Sequence, residues 1–192
     1  MTVIAAFDCE NKYWIASDSV GSAVTMKYEI GSKLIKKGNY VIGFSWSYRV
    51  ADIIKECTDL PLKIKGMKDL RILRDKIKEK IIQDELVGKN ENTNCNTYSY
   101  GKPDGHPLDL IIIAPSGMYT IESDYQIHKI PDGYIACGSG TEVAMGVLYS
   151  CKEIGIEGKS AVKLAVKAAI KHIITCGGKC HIQSVEKTNG KR

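Results

Sequence analysis

The chain has 192 residues, 44% hydrophobic and 26% charged, with a formal net charge of +5. That length suits one domain with a sizeable core, and no apolar stretch approaches the ~20 residues that a membrane span needs. The mild positive excess sits in helical lysines and in the tail from Lys187 to Arg192, without a basic stripe interleaved with aromatics, so neither a membrane nor nucleic acid is an expected partner. Seven irregularly spaced cysteines point to free thiols in a reducing compartment. The start has no basic segment, and Asp8 and Glu10 interrupt its apolar run, so it does not read as a signal peptide. The expected location is the cytoplasm.

Taken in chain order, the N-terminal third reads as strands. Thr2 to Phe7 and Tyr13 to Ser17 flank the turn-like stretch Asp8 to Lys12 and form a hairpin pattern. Lys33 to Lys36 and Tyr40 to Phe44 flank Lys37-Gly38-Asn39 and form a second. Val50, Ile53, Ile54 and Cys57 share a helical face, and a longer helix spans Met67 to Leu86 with Leu70, Leu73, Ile77, Ile81 and Ile82 apolar. Residues 88–107 are rich in Asn, Gly and Pro and read as a loop excursion. Strands follow at Leu108 to Ala114, Met118 to Ile121, Gln126 to Ile130 and Gly133 to Cys137, the first two joined by Pro115-Ser116-Gly117. A helix from about Thr141 turns Val143, Val147, Leu148, Cys151 and Ile154 inward. Another spans Lys159 to Ile174, with Ser160 as N-cap and Val162, Val166, Ile170 and Ile173 on one stripe. A last strand covers His181 to Val185, and residues 187–192 form a polar tail. Strand groups alternating with helix pairs predict a layered α+β sandwich over residues 1–192, not a doubly wound parallel sheet.

Candidate chemistry begins at Thr2. Removal of Met1 would give one residue both a hydroxyl nucleophile and a free amine, whose ordinary pKa of about 7.7–8.0 suits a general base. A threonine paired with its own amine is a known way to activate a weak hydroxyl. Other motifs carry less. Gly138-Ser139-Gly140 has Val143 where a dinucleotide fingerprint needs its third glycine, and no βαβ unit surrounds it. Cys176, Cys180 and His181 fall short of the four ligands of a structural zinc site. His106, His128 and His172 have no companion groups that the sequence supports. No cofactor and no metal are expected.

Five ordered pieces carry a resemblance: the N-terminal threonine strand, Ala16-Ser17-Asp18, Ser32-Lys33-Leu34, Gly43-Phe44-Ser45 before a helix, and Tyr134 to Gly140 before another. In this order they resemble the proteasome β-subunit family of N-terminal-nucleophile (Ntn) hydrolases, especially its bacterial HslV branch, over most of the chain. The resemblance implies a four-layer αββα sandwich of antiparallel sheets flanked by helix pairs. It implies Thr2 as nucleophile, Asp18 as the carboxylate that holds the catalytic lysine, Lys33 as that lysine, and Ser139 as the serine near the threonine amine. The backbone N–H of Trp46 falls where the family forms its oxyanion hole, usually with glycine, and Phe44 and Tyr48 become candidate pocket walls. Ile173 stands where many proteasome subunits have an aspartate, which the HslV branch also lacks, and Cys176 where they have a serine.

The implied activity is threonine-type hydrolysis of peptide or unfolded-protein substrates inside a homo-oligomeric ring. Such rings commonly act with a separate unfolding ATPase, and this chain carries no P-loop of its own. Two alternatives remain at this stage: a catalytically silent ring or scaffold subunit that keeps Met1, and a narrow-specificity amidase or transpeptidase using the same nucleophile.

Overall fold

The structure, a computed structural model, describes residues 2–23, 26–90 and 108–188. In chain order its elements are β1 (Val3–Asp8), β2 (Lys12–Ser17), β3 (Val20–Ala23), β4 (Met26–Glu29), β5 (Leu34–Lys37), β6 (Tyr40–Trp46), α1 (Tyr48–Glu56), α2 (Met67–Asn90), β7 (Leu108–Ala114), β8 (Gly117–Ile121), β9 (Ile127–Lys129), β10 (Tyr134–Gly138), α3 (Thr141–Glu153), α4 (Gly158–His172) and β11 (His181–Glu186). They build one sheet in the order β10-β1-β2-β11, a second in the order β5-β6-β7-β8-β9, and a separate β3-β4 hairpin. Every pairing is antiparallel.

Strand alternation sorts the side chains into layers. Val3, Ala5 and Phe7 of β1 pack with Ala144, Leu148, Ala161, Val162 and Ala165 of α3 and α4. Ile4 and Ala6, one residue out of phase, meet Val41, Ile111 and Ile113 of the second sheet. The opposite face of that sheet, with Ile42, Phe44, Leu110 and Ile112, is covered by Val50 and Ile54 of α1 and by Leu70, Leu73 and Ile77 of α2. Three apolar interfaces between four layers define the αββα sandwich that the sequence predicts. Each fully buried aliphatic side chain in them contributes roughly 1.5–3 kcal/mol by removal from water.

Several local readings need correction. Val20 to Glu29 contains the β3-β4 hairpin, which the sequence reading passed over. On α3, Leu148 and Cys151 are buried as expected and Val147 partly so, but the third buried residue is Ala144, while Ile154 lies beyond the helix end and is 70% exposed. Small residues win that face because α3 and α4 pack closely on each other and on β1, and Ala161, Ala165 and Ala169 supply the matching small stripe on α4. The N-cap of α4 is Glu157, not Ser160, and it makes no side-chain cap bond. Helix α2 continues through Asn90, so residues 88–90 are helical, and the rest of the expected excursion lies outside the described residues. Of the expected polar tail, Lys187 donates its N–H to Asn11 O and Thr188 donates to Pro115 O, while residues 189–192 lie outside the description.

Candidate active site

The site gathers where strands of both sheets end. Thr2 immediately precedes β1, Asp18 follows β2, Lys33 immediately precedes β5, and Ser139 follows β10. Register brings these ends together. Ile4 pairs with Ser17 and Val3 with Gly138, so the β2 exit and the β10 exit flank the β1 entrance on either side. Lys33 comes from the facing sheet, and its backbone joins the two: its N–H donates to Ser17 Oγ at 3.3 Å, and its carbonyl accepts from Phe44 N.

Asp18 is the hub. Its Oδ1 accepts from Thr2 Oγ1 at 2.6 Å, from Val3 N at 3.2 Å and from Lys33 Nζ at 2.5 Å; its Oδ2 accepts from Gly177 N at 3.1 Å. Lys33 Nζ also donates to Val20 O at 2.7 Å. Asp18 and Lys33 are fully buried, and Thr2 is 2% exposed. A buried charge pair survives only when paired and hydrogen-bonded on its remaining sites, and these contacts meet that condition. Burial nonetheless pulls Lys33 below the ordinary lysine pKa, an effect that the adjoining Asp18 carboxylate only partly reverses.

Ser139 holds the other side of Thr2. Its hydroxyl donates to Thr2 O at 3.2 Å, and Gly140 N donates to the same oxygen at 3.2 Å. Ser139 Oγ also lies 2.8 Å from Thr175 Oγ1 and 3.7 Å from Cys176 Sγ. Gly138, just before it, has φ +92°, and a Cβ there would overlap Thr2 O. Only glycine accommodates both that backbone conformation and that approach.

The loop after α4 closes the site from the far end of the chain. Besides Gly177 N on Asp18, Ser19 N donates to Gly177 O and Lys179 N donates to Ser19 Oγ. Cys176 is buried there, and desolvation raises its thiol pKa. The β3-β4 hairpin covers another flank, with Lys27 Nζ donating to Cys176 O at 3.4 Å.

Of the remaining sequence candidates, Trp46 ends β6 opposite Leu108, and Ser47 behind it caps α1 by accepting from Val50 N. The Trp46 indole lies outside the described side chains. Tyr48, the first residue of α1, is half-buried with its hydroxyl beside Gly21. Its phenol is pushed up to about 12 by burial and then by the Asp18 charge. Phe44 is buried among the α1 and α2 core residues and meets Tyr48 edge-on at 6.1 Å, so its ring belongs to the helix-facing core. A cavity of about 290 Å³ opens between the sheets beside Gly138, lined in part by Asp109, Thr120, Glu122, Cys137 and Thr141.

Sequence reasoning missed Ser17, Thr175 and Gly177. For Gly177 the contributing group is a backbone N–H, which carries no residue signal; for the other two, only the fold brings the Ser17 hydroxyl to Lys33 N and the Thr175 hydroxyl to Ser139. Among the described residues, no group of three or more His, Cys, Asp and Glu side chains gathers to hold a metal, and no helix is long and apolar enough to cross a membrane. The six described cysteines are all free thiols.

No family model matches this sequence, and neither does any curated protein. Solved structures do. Thiobacillus denitrificans BPH is similar with a TM-score of 0.73 at 16% identity, over 98% of this chain and 100% of that one. The same protein in complex with epoxomicin gives 0.70 at 16% identity, over 97% and 100%. Eukaryotic HslV from Trypanosoma brucei gives 0.67 at 14% identity, over 96% and 99%.

Proposed function

We propose that this chain, which has the proteasome/HslV-like Ntn-hydrolase fold, is a threonine peptidase whose nucleophile is Thr2 after removal of Met1. The observation that carries the reading is the buried Thr2 hydroxyl, 2.6 Å from a carboxylate that it shares with a buried lysine. In an inert sandwich, desolvation offsets much of the attraction within a fully buried ion pair, so the pair adds little stability there. At a nucleophile it has a use, because perturbed ionisable groups are what hydroxyl activation needs.

In the proposed mechanism the Thr2 amine, freed of Met1, takes the hydroxyl proton as Oγ1 attacks the substrate carbonyl. The positive charge of Lys33 favours the neutral, basic form of that amine and steadies the oxygen as negative charge develops. Asp18 holds Lys33 and the β1 entrance in place. The tetrahedral oxyanion takes a backbone N–H at Trp46, where β6 gives way to α1. Collapse breaks the peptide C–N bond, the amine returns the proton to the leaving nitrogen, and an acyl ester remains on Thr2. Water then attacks that ester while the amine takes its proton; collapse breaks the acyl C–Oγ1 bond, the amine passes the proton to Oγ1, and the carboxylic acid product leaves. Phe44 is excluded from the substrate wall by its place in the core, leaving Tyr48 for that role.

The likeness of fold supports a homo-oligomeric ring; unfolded protein as substrate and a separate ATPase as partner are carried over from the sequence resemblance alone. The test is hydrolysis of fluorogenic peptides by the wild-type chain and by Thr2→Ala. Activity in the first and none in the second, with equal melting temperatures, supports the reading; equal hydrolysis by both overturns it. One observation favours a second reading. Thr2 is only 2% exposed, which suits a silent subunit that keeps Met1 and uses the Asp18–Lys33 pair purely as a structural tie.

A further inference from the structure

Ser139 has one proton and several neighbours. Its contact with Thr2 O, at 3.2 Å, is to a carbonyl, which can only accept, so the Ser139 proton is committed there. The contact with Thr175 Oγ1, at 2.8 Å, must then run the other way, with Thr175 donating to Ser139 Oγ. Cys176 Sγ, at 3.7 Å, adds at most a weak donor on the same oxygen. A directed chain results: Thr175 hydroxyl to Ser139 oxygen, Ser139 hydroxyl to the carbonyl of the residue that carries both nucleophile and base.

We propose that Thr175 is a positioning residue that fixes the direction of the Ser139 hydroxyl and thereby holds Thr2 in its reactive pose. This inference rests on the threonine-peptidase reading and deepens it. The direction matters because the peptidase reading sets Ser139 beside the Thr2 amine, whose lone pair, once Met1 is gone, competes for a free Ser139 proton. A hydrogen bond donated to that lone pair stabilises the neutral amine and makes it a poorer base. With Thr175 donating, the Ser139 proton stays on the carbonyl, the lone pair stays open, and two donors, Ser139 and Gly140 N, pin the Thr2 main chain. Sequence alone gives no hint of this, because Thr175 stands 36 residues from Ser139 in the loop after α4.

The test compares Thr175→Val, which keeps the shape and removes the hydroxyl, with Thr175→Ser, which keeps the hydroxyl. The expected result for Thr175→Val is kcat lower by about tenfold, as for a small misplacement of reacting groups, with KM within twofold. The acid limb of its pH–rate profile moves to lower pH, and Thr175→Ser restores both. A second readout does not need turnover: the Thr2 amine, followed by NMR in chains labelled with ¹⁵N-threonine, titrates at lower pH in Thr175→Val than in wild type. The charged groups around that amine (Asp18 after β2, Lys33 before β5, Lys27 on β4) and the Cys176 thiol are the same in all three chains, so they cancel in the comparison. An unchanged amine titration in Thr175→Val, or a Thr175→Ser chain as impaired as Thr175→Val, overturns the inference. A wild-type chain with a free amine that hydrolyses no peptide refutes the peptidase reading, while the titration still decides the role of Thr175. A chain that retains Met1 refutes both.

Discussion

Replacing Asp18 by Asn changes almost no volume yet removes what the site is built on. The carboxylate accepts four donors over two oxygens, three on Oδ1 and one on Oδ2. An amide has a single acceptor oxygen and two N–H donors. If its oxygen faces Thr2, Val3 and Lys33, its NH₂ opposes the Gly177 N–H; if reversed, it opposes the Lys33 ammonium. Either way Lys33, fully buried, loses its counter-charge. Breaking a buried pair from one side costs about 3–5 kcal/mol, which for a chain of this size lowers Tm by about 6–20 °C. Lys33→Met should cost a similar amount, since it strands the carboxylate. The double variant buries neither charge, so it should be more stable than the sum of the single losses by at least about 1.5 kcal/mol. Urea denaturation of the four chains at pH 7 gives the cycle. A loss below about 1 kcal/mol for Asp18→Asn, the value of an exposed pair, or strict additivity in the double variant, would refute the reasoning.

Three further outcomes are expected. Gly138→Ala places a methyl group against Thr2 O and 2.8 Å from Thr2 Cγ2 at φ +92°; about 1–3 kcal/mol of stability should be lost and peptide turnover should fall by about 10², and unchanged turnover would show that Thr2 is not held there. Because burial lowers the Lys33 pKa, the folded chain binds this proton less tightly than the unfolded chain. The resulting penalty is full below the depressed value and disappears as pH rises towards the ordinary 10.5, so wild type should gain stability relative to Lys33→Met between pH 8 and pH 10 in urea titrations, and a flat difference would contradict the shift. Ser47→Ala removes the side-chain cap of α1 and should cost about 1 kcal/mol by thermal melt, a loss absent in Ser47→Asp.

The fold was legible where periodicity is strict. β1 and β7 alternate between two buried faces, and α2 carries Leu70, Leu73, Ile77 and Ile81 at helical spacing, so strands, helices and layers follow from the pattern. The β3-β4 hairpin was illegible because Val20-Gly21-Ser22-Ala23 is a run of small residues with no apolar alternation to announce a strand. The inner face of α3 is read in part: Leu148 and Cys151 are buried as expected, but bulk suggests Val143 and Ile154 where close packing against the alanines of α4 selects Ala144. In the site, Thr2, Asp18, Lys33 and Ser139 have side chains whose chemistry is visible in the residue type. Gly177 contributes a backbone N–H from 159 positions away, and Thr175 acts on another side chain rather than on Thr2, so neither leaves a trace in the sequence. The resemblance makes Phe44 a pocket wall through its place beside Trp46, but the phase of β6 turns its ring to the helices.

The central claim is that Thr2 becomes a live N-terminal nucleophile, and intact mass after incubation with epoxomicin, the compound bound in the Thiobacillus denitrificans BPH complex, tests it most directly. The account predicts a mass lacking Met1 and increased by one epoxomicin, with no adduct on Thr2→Ala. A chain that keeps Met1 and stays unmodified, or an adduct that persists in Thr2→Ala, would contradict it.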